Sequence, residues 1–109
     1  MNKTKLILKQ NPTLPDFQDY VAQLVKERGF DKKTVPEMFM LFLEECGEMA
    51  KAARKTQKIK TDKNSEKFHL AHEASDVLTY LLDICNHFKI DLEKAFREKE
   101  EINKKRLWE

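Results

Sequence analysis

The sequence predicts an all-α protein with a single helical domain. Hydrophobic residues make up 40% of the 109 positions and fall in clustered runs, while 37% of the positions are charged. There are only two glycines and three prolines. This composition is typical of helices with an apolar inner face and a charged outer face, and the length suits one core. We expect residues 1–12 to form a basic arm and residues 13–109 to form the domain.

The composition also excludes several classes of function. Gly29 and Gly47 lie far apart, so neither the dinucleotide-binding G-x-G-x-x-G pattern nor a P-loop is present. A net charge of +2 gives no overall attraction to nucleic acid or acidic membranes. The apolar runs Met38 to Leu43 and Leu6 to Leu8 are too short for a membrane span or a signal-peptide core. We therefore expect a cytoplasmic protein that binds neither nucleic acid nor a membrane.

Two helices have well-marked starts. Thr13 and Asp16 resemble a capping box, and apolar residues at helical spacing follow as far as Gly29, which suits a C-terminal stop. Thr34 and Glu37 repeat the capping pattern, with a proline in the first turn. The apolar stripe of this second helix comprises Met38, Phe39, Phe42, Cys46, Met49 and Ala53.

Two further helices follow a polar loop. Residues 56–65 are polar and aperiodic apart from Ile59, which indicates a flexible loop. The spacing predicts a third helix from about Glu66 to Phe88. Asp91 is a plausible N-cap for a fourth helix through about Lys105. These elements predict a four-helix bundle-like protomer that is completed by oligomerisation, because the apolar faces of the second and third helices are wide.

The two cysteines, Cys46 and Cys85, fall inside helical patterns without metal-ligand spacing. We interpret them as buried free thiols.

Acidic residues on the second and third helices are the candidate functional residues. They occur in the strings EECGE, residues 44–48, and EASD, residues 73–76. Their i, i+3 spacing is not informative by itself, because about three such acidic pairs are expected by chance and four occur. Their position is informative, since a helical wheel places Glu45 inside the apolar stripe beside Met38 and Ala52.

Carboxylates against apolar surface must be protonated, paired or bound to a cation. Two facing helices could direct Glu45, Glu48, Glu73 and Asp76 to one point as an oxygen-only site for Mg²⁺ or Mn²⁺. The alternative is that these acids are solvated or paired with Lys51, Arg54 and Lys55.

These motifs resemble the MazG-like all-α nucleoside triphosphate pyrophosphohydrolases. The family signature is E-E-x-x-E on one helix and E-x-x-D on the next, here separated by 24 residues. The continuation DVLTYLLDICNHFKIDLEKAFREKEEINKKR is also similar, and the resemblance covers roughly residues 17–108. Lys89 departs from the family, since many relatives have glycine there.

The resemblance implies a helical bundle that assembles as a dimer or tetramer. It implies Mg²⁺-dependent hydrolysis of an NTP or dNTP to the monophosphate and pyrophosphate, by attack of water on the α-phosphorus. The implied metal ligands are Glu45, Glu48, Glu73 and Asp76, with Glu44 in a supporting role. Our own mechanistic hypothesis is that Glu44 or Glu48 accepts the proton of the attacking water. The implied phosphate-binding residues are Lys99, Asn103, Lys104 and Arg106.

The residues themselves support the phosphate-binding assignment only in part. Lys99, Asn103 and Arg106 share one helix face, as donors to phosphate oxygens would. The same pattern also fits a solvated C-terminal helix whose basic residues favour the helix dipole.

Two other functions remain open. A non-catalytic helical interaction domain would leave Glu45 exposed and its stability independent of Mg²⁺. A nucleic-acid binder would use the basic arm and the segment 55–67, which has none of the aromatic interleaving typical of such proteins.

Overall fold

The computed structural model describes residues 4–57 and 69–107, and within these ranges it contains four α-helices and no strand. The helices are α1 (Leu14–Glu27), α2 (Val35–Thr56), α3 (Leu70–His87) and α4 (Leu92–Lys104). The predicted all-α class is confirmed. No helix of the described ranges is long and apolar enough to cross a membrane.

Both predicted capping boxes are present. The Thr13 backbone N–H donates to Asp16 Oδ2 at 2.8 Å, and the Thr34 backbone N–H donates to Glu37 Oε1 at 2.9 Å. Each threonine hydroxyl in turn accepts from the backbone N–H three residues later. These hydrogen bonds favour the ionised carboxylates and lower the pKa of Asp16 and of Glu37. The starts of α1 and α2 are therefore determined locally by the sequence.

The other helix boundaries agree with the sequence pattern except at the start of α3. Gly29 ends α1 with a left-handed φ of 74°, and Asp91 Oδ1 caps α4 by accepting from the Lys94 N–H at 3.1 Å. Helix α3 begins at Leu70 after an extended His69, not near Glu66 as predicted. Residues 66–68 lie outside the described ranges, as does most of the predicted loop. No local signal marks this start, because the N-cap residue His69 makes no side-chain hydrogen bond to the helix.

Helix α3 forms the centre of the packing. Helix α2 packs along one side of α3, α1 packs on another, and α4 rests on α1. Leu82 of α3 is fully buried and forms the core with Val21, Leu24 and Val25 of α1. Helix α4 has no buried residue. The α2–α3 interface is therefore the place where acids from two helices meet.

One buried polar side chain fixes the connection between α3 and α4. Gln18 of α1 is 8% exposed, and its amide donates to Asn86 Oδ1 at 3.0 Å and to the Ile90 carbonyl at 2.8 Å. Its side-chain oxygen accepts from the Leu92 N–H at 3.0 Å, and Asn86 Nδ2 donates to the Gln18 carbonyl at 2.9 Å. The α3–α4 turn, in which Lys89 has a left-handed φ of 57°, is thereby tied to α1.

Large apolar side chains remain exposed on α2 and α4. Met40 and Leu43 of α2 are 70% and 63% exposed, and Phe96 of α4 is 67% exposed. Within the stripe predicted for α2, Phe39 and Met49 are 42% and 36% exposed, so this face is only partly covered within one chain. Both cysteines are free, as predicted, but only Cys85 is buried, whereas Cys46 is half-buried.

Candidate metal and nucleotide site

Three carboxylates from two helices come together at the α2–α3 interface. Glu45 of α2 and Glu73 and Asp76 of α3 each place one oxygen within 4.8 Å of the others. Glu45 lies on the stripe between the buried Met38 and Ala52, as the helical wheel predicted, and is itself half-buried. The arrangement brings together three of the four acids that the sequence directed to one point.

The fourth acid, Glu48, lies next to this cluster. It is exposed and lines a cavity of about 170 Å³ together with Glu73, Lys51 and Lys55. Glu48 therefore shares a cavity with Glu73 of the cluster and with two basic side chains. Glu44, one residue before Glu45, is exposed.

The electrostatics of the cluster are those of crowded like charges. Burial raises the pKa of the Glu45 carboxyl, and Asp76, Glu73, Glu48 and Glu44 raise it further. Burial raises the pKa of the Tyr80 hydroxyl, and Glu45, Asp76, Glu44 and Asp83 raise it further, so this hydroxyl stays a neutral hydrogen-bond donor at pH 7. A cation placed among these oxygens would remove the repulsion.

The donor set fits a hard divalent cation. All three oxygens are carboxylate oxygens, which Mg²⁺ and Mn²⁺ prefer, and zinc-type sulfur or nitrogen ligands are not part of the cluster. The residues present thus match the metal class expected from the sequence.

Two acids of the cluster also line a cavity of about 180 Å³. Glu45 and Asp76 line this cavity together with Tyr80, Asp83 and Lys33. The sequence carried a signal for Tyr80 and Asp83, because positions 76, 80 and 83 share one face of α3. It carried none for Lys33, which precedes α2 and reaches the cavity only through the tertiary fold.

The predicted phosphate-binding residues lie on and just after α4. Lys99 and Arg106 are exposed, Asn103 is half-buried, and Lys104 Nζ forms an exposed ion pair with Glu101 at 3.2 Å. No α4 residue lines either of the two cavities that contain the acids. Helix α4 packs on α1, whereas the acids lie between α2 and α3.

The fold and site define the class of protein: an all-α protein with a cluster of carboxylates between two helices that could hold a cation. Residues 33–106, about two thirds of the chain, match the model of the MazG nucleotide pyrophosphohydrolase domain. The chain belongs to this family and is a hydrolase acting on phosphoric anhydride bonds of nucleotides.

Solved structures agree with this assignment. Two crystal structures of iMazG from Vibrio DAT 722, designated Ntag-iMazG and Ctag-iMazG, are each 27% identical to the chain with a TM-score of 0.60. Each match covers 85% of this chain and 95% or 99% of the Vibrio chain. Among curated proteins, none matches the chain at a significant level.

Proposed function

We propose that the chain hydrolyses nucleoside triphosphates, with ribose or deoxyribose, to the monophosphate and pyrophosphate in an Mg²⁺-dependent reaction. The observation that carries the proposal is the convergence of Glu45, Glu73 and Asp76 within 4.8 Å at the α2–α3 interface. A nucleoside triphosphate carries several negative charges, so binding it beside these negatively charged acids requires a cation.

Glu45, Glu73 and Asp76 would hold the metal, and Glu48 would join them from the adjacent turn of α2. Bound there, Mg²⁺ would polarise phosphate oxygens and lower the pKa of a coordinated water; Mn²⁺ offers the same chemistry.

The protein side chains have separate roles in this proposal. Glu44 or Glu48, both exposed beside the cluster, accepts the proton of the attacking water. Water attacks the α-phosphorus in line, and pyrophosphate leaves. Lys99, Lys104 and Arg106 donate to phosphate oxygens and stabilise the charge that develops on them, with Asn103 beside them.

This scheme requires a second copy of the chain. Because α4 does not line the cavities that contain the acids, we propose that the phosphate-binding residues meet the acids across a homodimer or homotetramer interface. The exposed Met40 and Leu43 of α2 and Phe96 of α4 supply apolar surface for that contact.

The non-catalytic alternative is not favoured. It requires an exposed Glu45, whereas Glu45 is half-buried among other acids. The family to which the chain belongs also assigns it to the hydrolases.

A panel of NTPs and dNTPs with Mg²⁺, scored for pyrophosphate against orthophosphate, tests the proposal. We expect pyrophosphate from at least one nucleotide, and a loss of about 100-fold or more in Glu45→Gln and Asp76→Asn, comparable to removing one charge-stabilising group from an active site. Glu98→Gln is the matched control, since Glu98 forms an i, i+3 acidic pair with Glu101 but is exposed on α4. It should retain wild-type rates.

Folding of each variant is checked by circular dichroism, and the oligomeric state by light scattering. The proposal is contradicted if no nucleotide yields pyrophosphate, or if folded Glu45→Gln keeps full activity. A strictly monomeric protein with full activity would contradict the shared site.

A further inference from the structure

The ion pair between Lys33 and Asp83 differs from the other ion pairs in residues 4–57 and 69–107. Lys33 Nζ lies 3.3 Å from Asp83 Oδ2, and the two side chains are only 17% and 13% exposed. In each of the other three ion pairs of these ranges, at least one side chain is more than 60% exposed. A mostly desolvated ion pair contributes little to stability, since the cost of removing both charges from water offsets their attraction. A role in recognition accounts for its position better.

Two aromatic rings hold the lysine in place. Lys33 Nζ lies 5.2 Å from the ring centroid of Tyr80 and 5.5 Å from that of Phe30, both cation–π distances. Lys33 also directly precedes the capped N-terminus of α2. Its ammonium has three N–H donors and the Asp83 carboxylate has two oxygens, so one nitrogen–oxygen contact uses only part of their hydrogen-bonding capacity.

Lys33 and Asp83 line two cavities. The smaller cavity, about 180 Å³, reaches from the pair to Glu45 and Asp76 of the acidic cluster. The larger, about 360 Å³, is also lined by Lys33 and Asp83 and extends to Met38 and Asn86. If a triphosphate lies at the acids, as the proposed function requires, the rest of the nucleotide can extend through the smaller cavity to Lys33 and Asp83.

We propose that Lys33 and Asp83 are the specificity-determining pair of the site and that they select nucleotides whose base carries an exocyclic amino group. The Asp83 carboxylate accepts from the amino group, and the Lys33 ammonium donates to the acceptor atom next to it. Adenine, cytosine and guanine all present an amino donor beside a ring-nitrogen acceptor. Uracil, thymine and hypoxanthine present a carbonyl oxygen in place of the amino group and an N–H in place of the ring-nitrogen acceptor. In this arrangement the carbonyl oxygen faces the carboxylate and the N–H faces the ammonium, so both hydrogen bonds are lost.

A purely structural role for the pair predicts a different result. If Lys33 and Asp83 only fasten the α1–α2 connection to α3, removing the pair lowers the rate with every nucleotide by the same factor. The ratio of rates for two matched bases, one with and one without the amino group, is then the same in the variant as in the wild type. This ratio therefore distinguishes recognition of the base from a purely structural role.

The experiment measures kcat/KM for pyrophosphate release with Mg²⁺ on matched substrates, CTP against UTP and ATP against ITP, as ribo and deoxy forms. We expect the wild type to favour the amino-bearing base by about tenfold or more, as sites that hydrogen-bond a substrate N–H do. Asp83→Asn should bring the ratio close to one, because a carboxamide both donates and accepts. Lys33→Gln should also reduce it. Glu93→Gln, which breaks the exposed 3.1 Å pair with Arg97 on α4, is the control and should leave it unchanged.

Equal kcat/KM for the matched bases in the wild type would overturn the inference while leaving the pyrophosphohydrolase activity intact. So would an unchanged ratio in folded Asp83→Asn or, if that variant does not fold, in Lys33→Gln. The absence of pyrophosphate from every nucleotide would overturn the proposed function and this inference with it.

Discussion

Two groups of polar side chains lie between helices of this protein, and they differ in how their charges and hydrogen bonds are balanced. Around Gln18, donors and acceptors match: the side chain makes three hydrogen bonds of 2.8–3.0 Å to Asn86, Ile90 and Leu92. Around Glu45, burial and four neighbouring carboxylates raise the pKa of its carboxyl. The first group stabilises the fold, whereas the second holds like charges together, and a bound cation would relieve their repulsion.

This difference separates residues that stabilise the fold from residues of the candidate site. The Gln18 hydrogen bonds tie α1 to the α3–α4 turn, whereas the acids lie on α2 and α3. Mutations in the two regions should therefore change stability in opposite directions.

The largest change in stability is expected for Gln18→Leu. Leucine has a similar size but leaves the Leu92 N–H, the Ile90 carbonyl and Asn86 Oδ1 without this partner in a part-buried site. We expect a loss of about 3 kcal/mol or more in the free energy of unfolding, at about 1 kcal/mol or more for each group. Urea denaturation checks this. Gln23→Leu, on the exposed side of α1, is the control and should change the value by less than about 0.5 kcal/mol. A similar effect of both variants would contradict the special role of Gln18.

A smaller change of opposite sign is expected for Glu45→Gln in the absence of divalent metal. Removing this charge relieves the repulsion from Asp76, Glu73, Glu48 and Glu44. We expect a gain of about 1 kcal/mol, since each like-charge neighbour on a helix destabilises by a few tenths of a kcal/mol. Thermal unfolding in EDTA measures it, and added Mg²⁺ should stabilise the wild type but not the variant. A metal-free variant that is less stable than the wild type would show that Glu45 is not under electrostatic strain.

The smallest expected effect is the pH dependence of the stability difference between Glu45→Gln and the metal-free wild type. Because the pKa of Glu45 is raised in the folded protein, its destabilisation of the fold is complete above the folded pKa and decreases as the pH falls toward the ordinary value of 4.5. The capping carboxylates act in the opposite sense: the pKa values of Asp16 and Glu37 are lowered, so their stabilising contribution is lost only as the pH falls below their ordinary values of 3.8 and 4.5.

The advantage of Glu45→Gln over the metal-free wild type should thus be smaller at about pH 5 than at about pH 7. Urea denaturation of both proteins in EDTA at the two pH values tests this. An advantage that does not change with pH would indicate that burial and the neighbouring acids do not perturb Glu45.

The sequence predicted the parts of the fold that depend on neighbouring residues. The capping boxes at Thr13 and Thr34, the stop at Gly29 and the cap at Asp91 are all confirmed, because each involves backbone groups within a few positions. The predicted start of α3 was wrong by about four residues, because no side chain caps the N-terminus of this helix.

The candidate site was predictable in its acids and not in its surroundings. Helical spacing placed Glu45 on the buried stripe, and the structure brings it together with Glu73 and Asp76. The Lys33–Asp83 pair was not predicted, because its residues are fifty positions apart and no local pattern relates them. The roles of Lys99, Asn103, Lys104 and Arg106 remain predictions.

The sequence by itself determined the helical class, the capped helix starts and the acids directed toward an interface, since these depend on helical periodicity and on hydrogen bonds between near neighbours. The tertiary structure alone decided which acids meet, that Gln18 links α1 to the α3–α4 turn, and that Lys33 lies against Asp83, Tyr80 and Phe30 beside the acidic cluster. These contacts join positions far apart along the chain, and only the packing of α1 and α2 against α3 brings such positions within a few ångströms of one another.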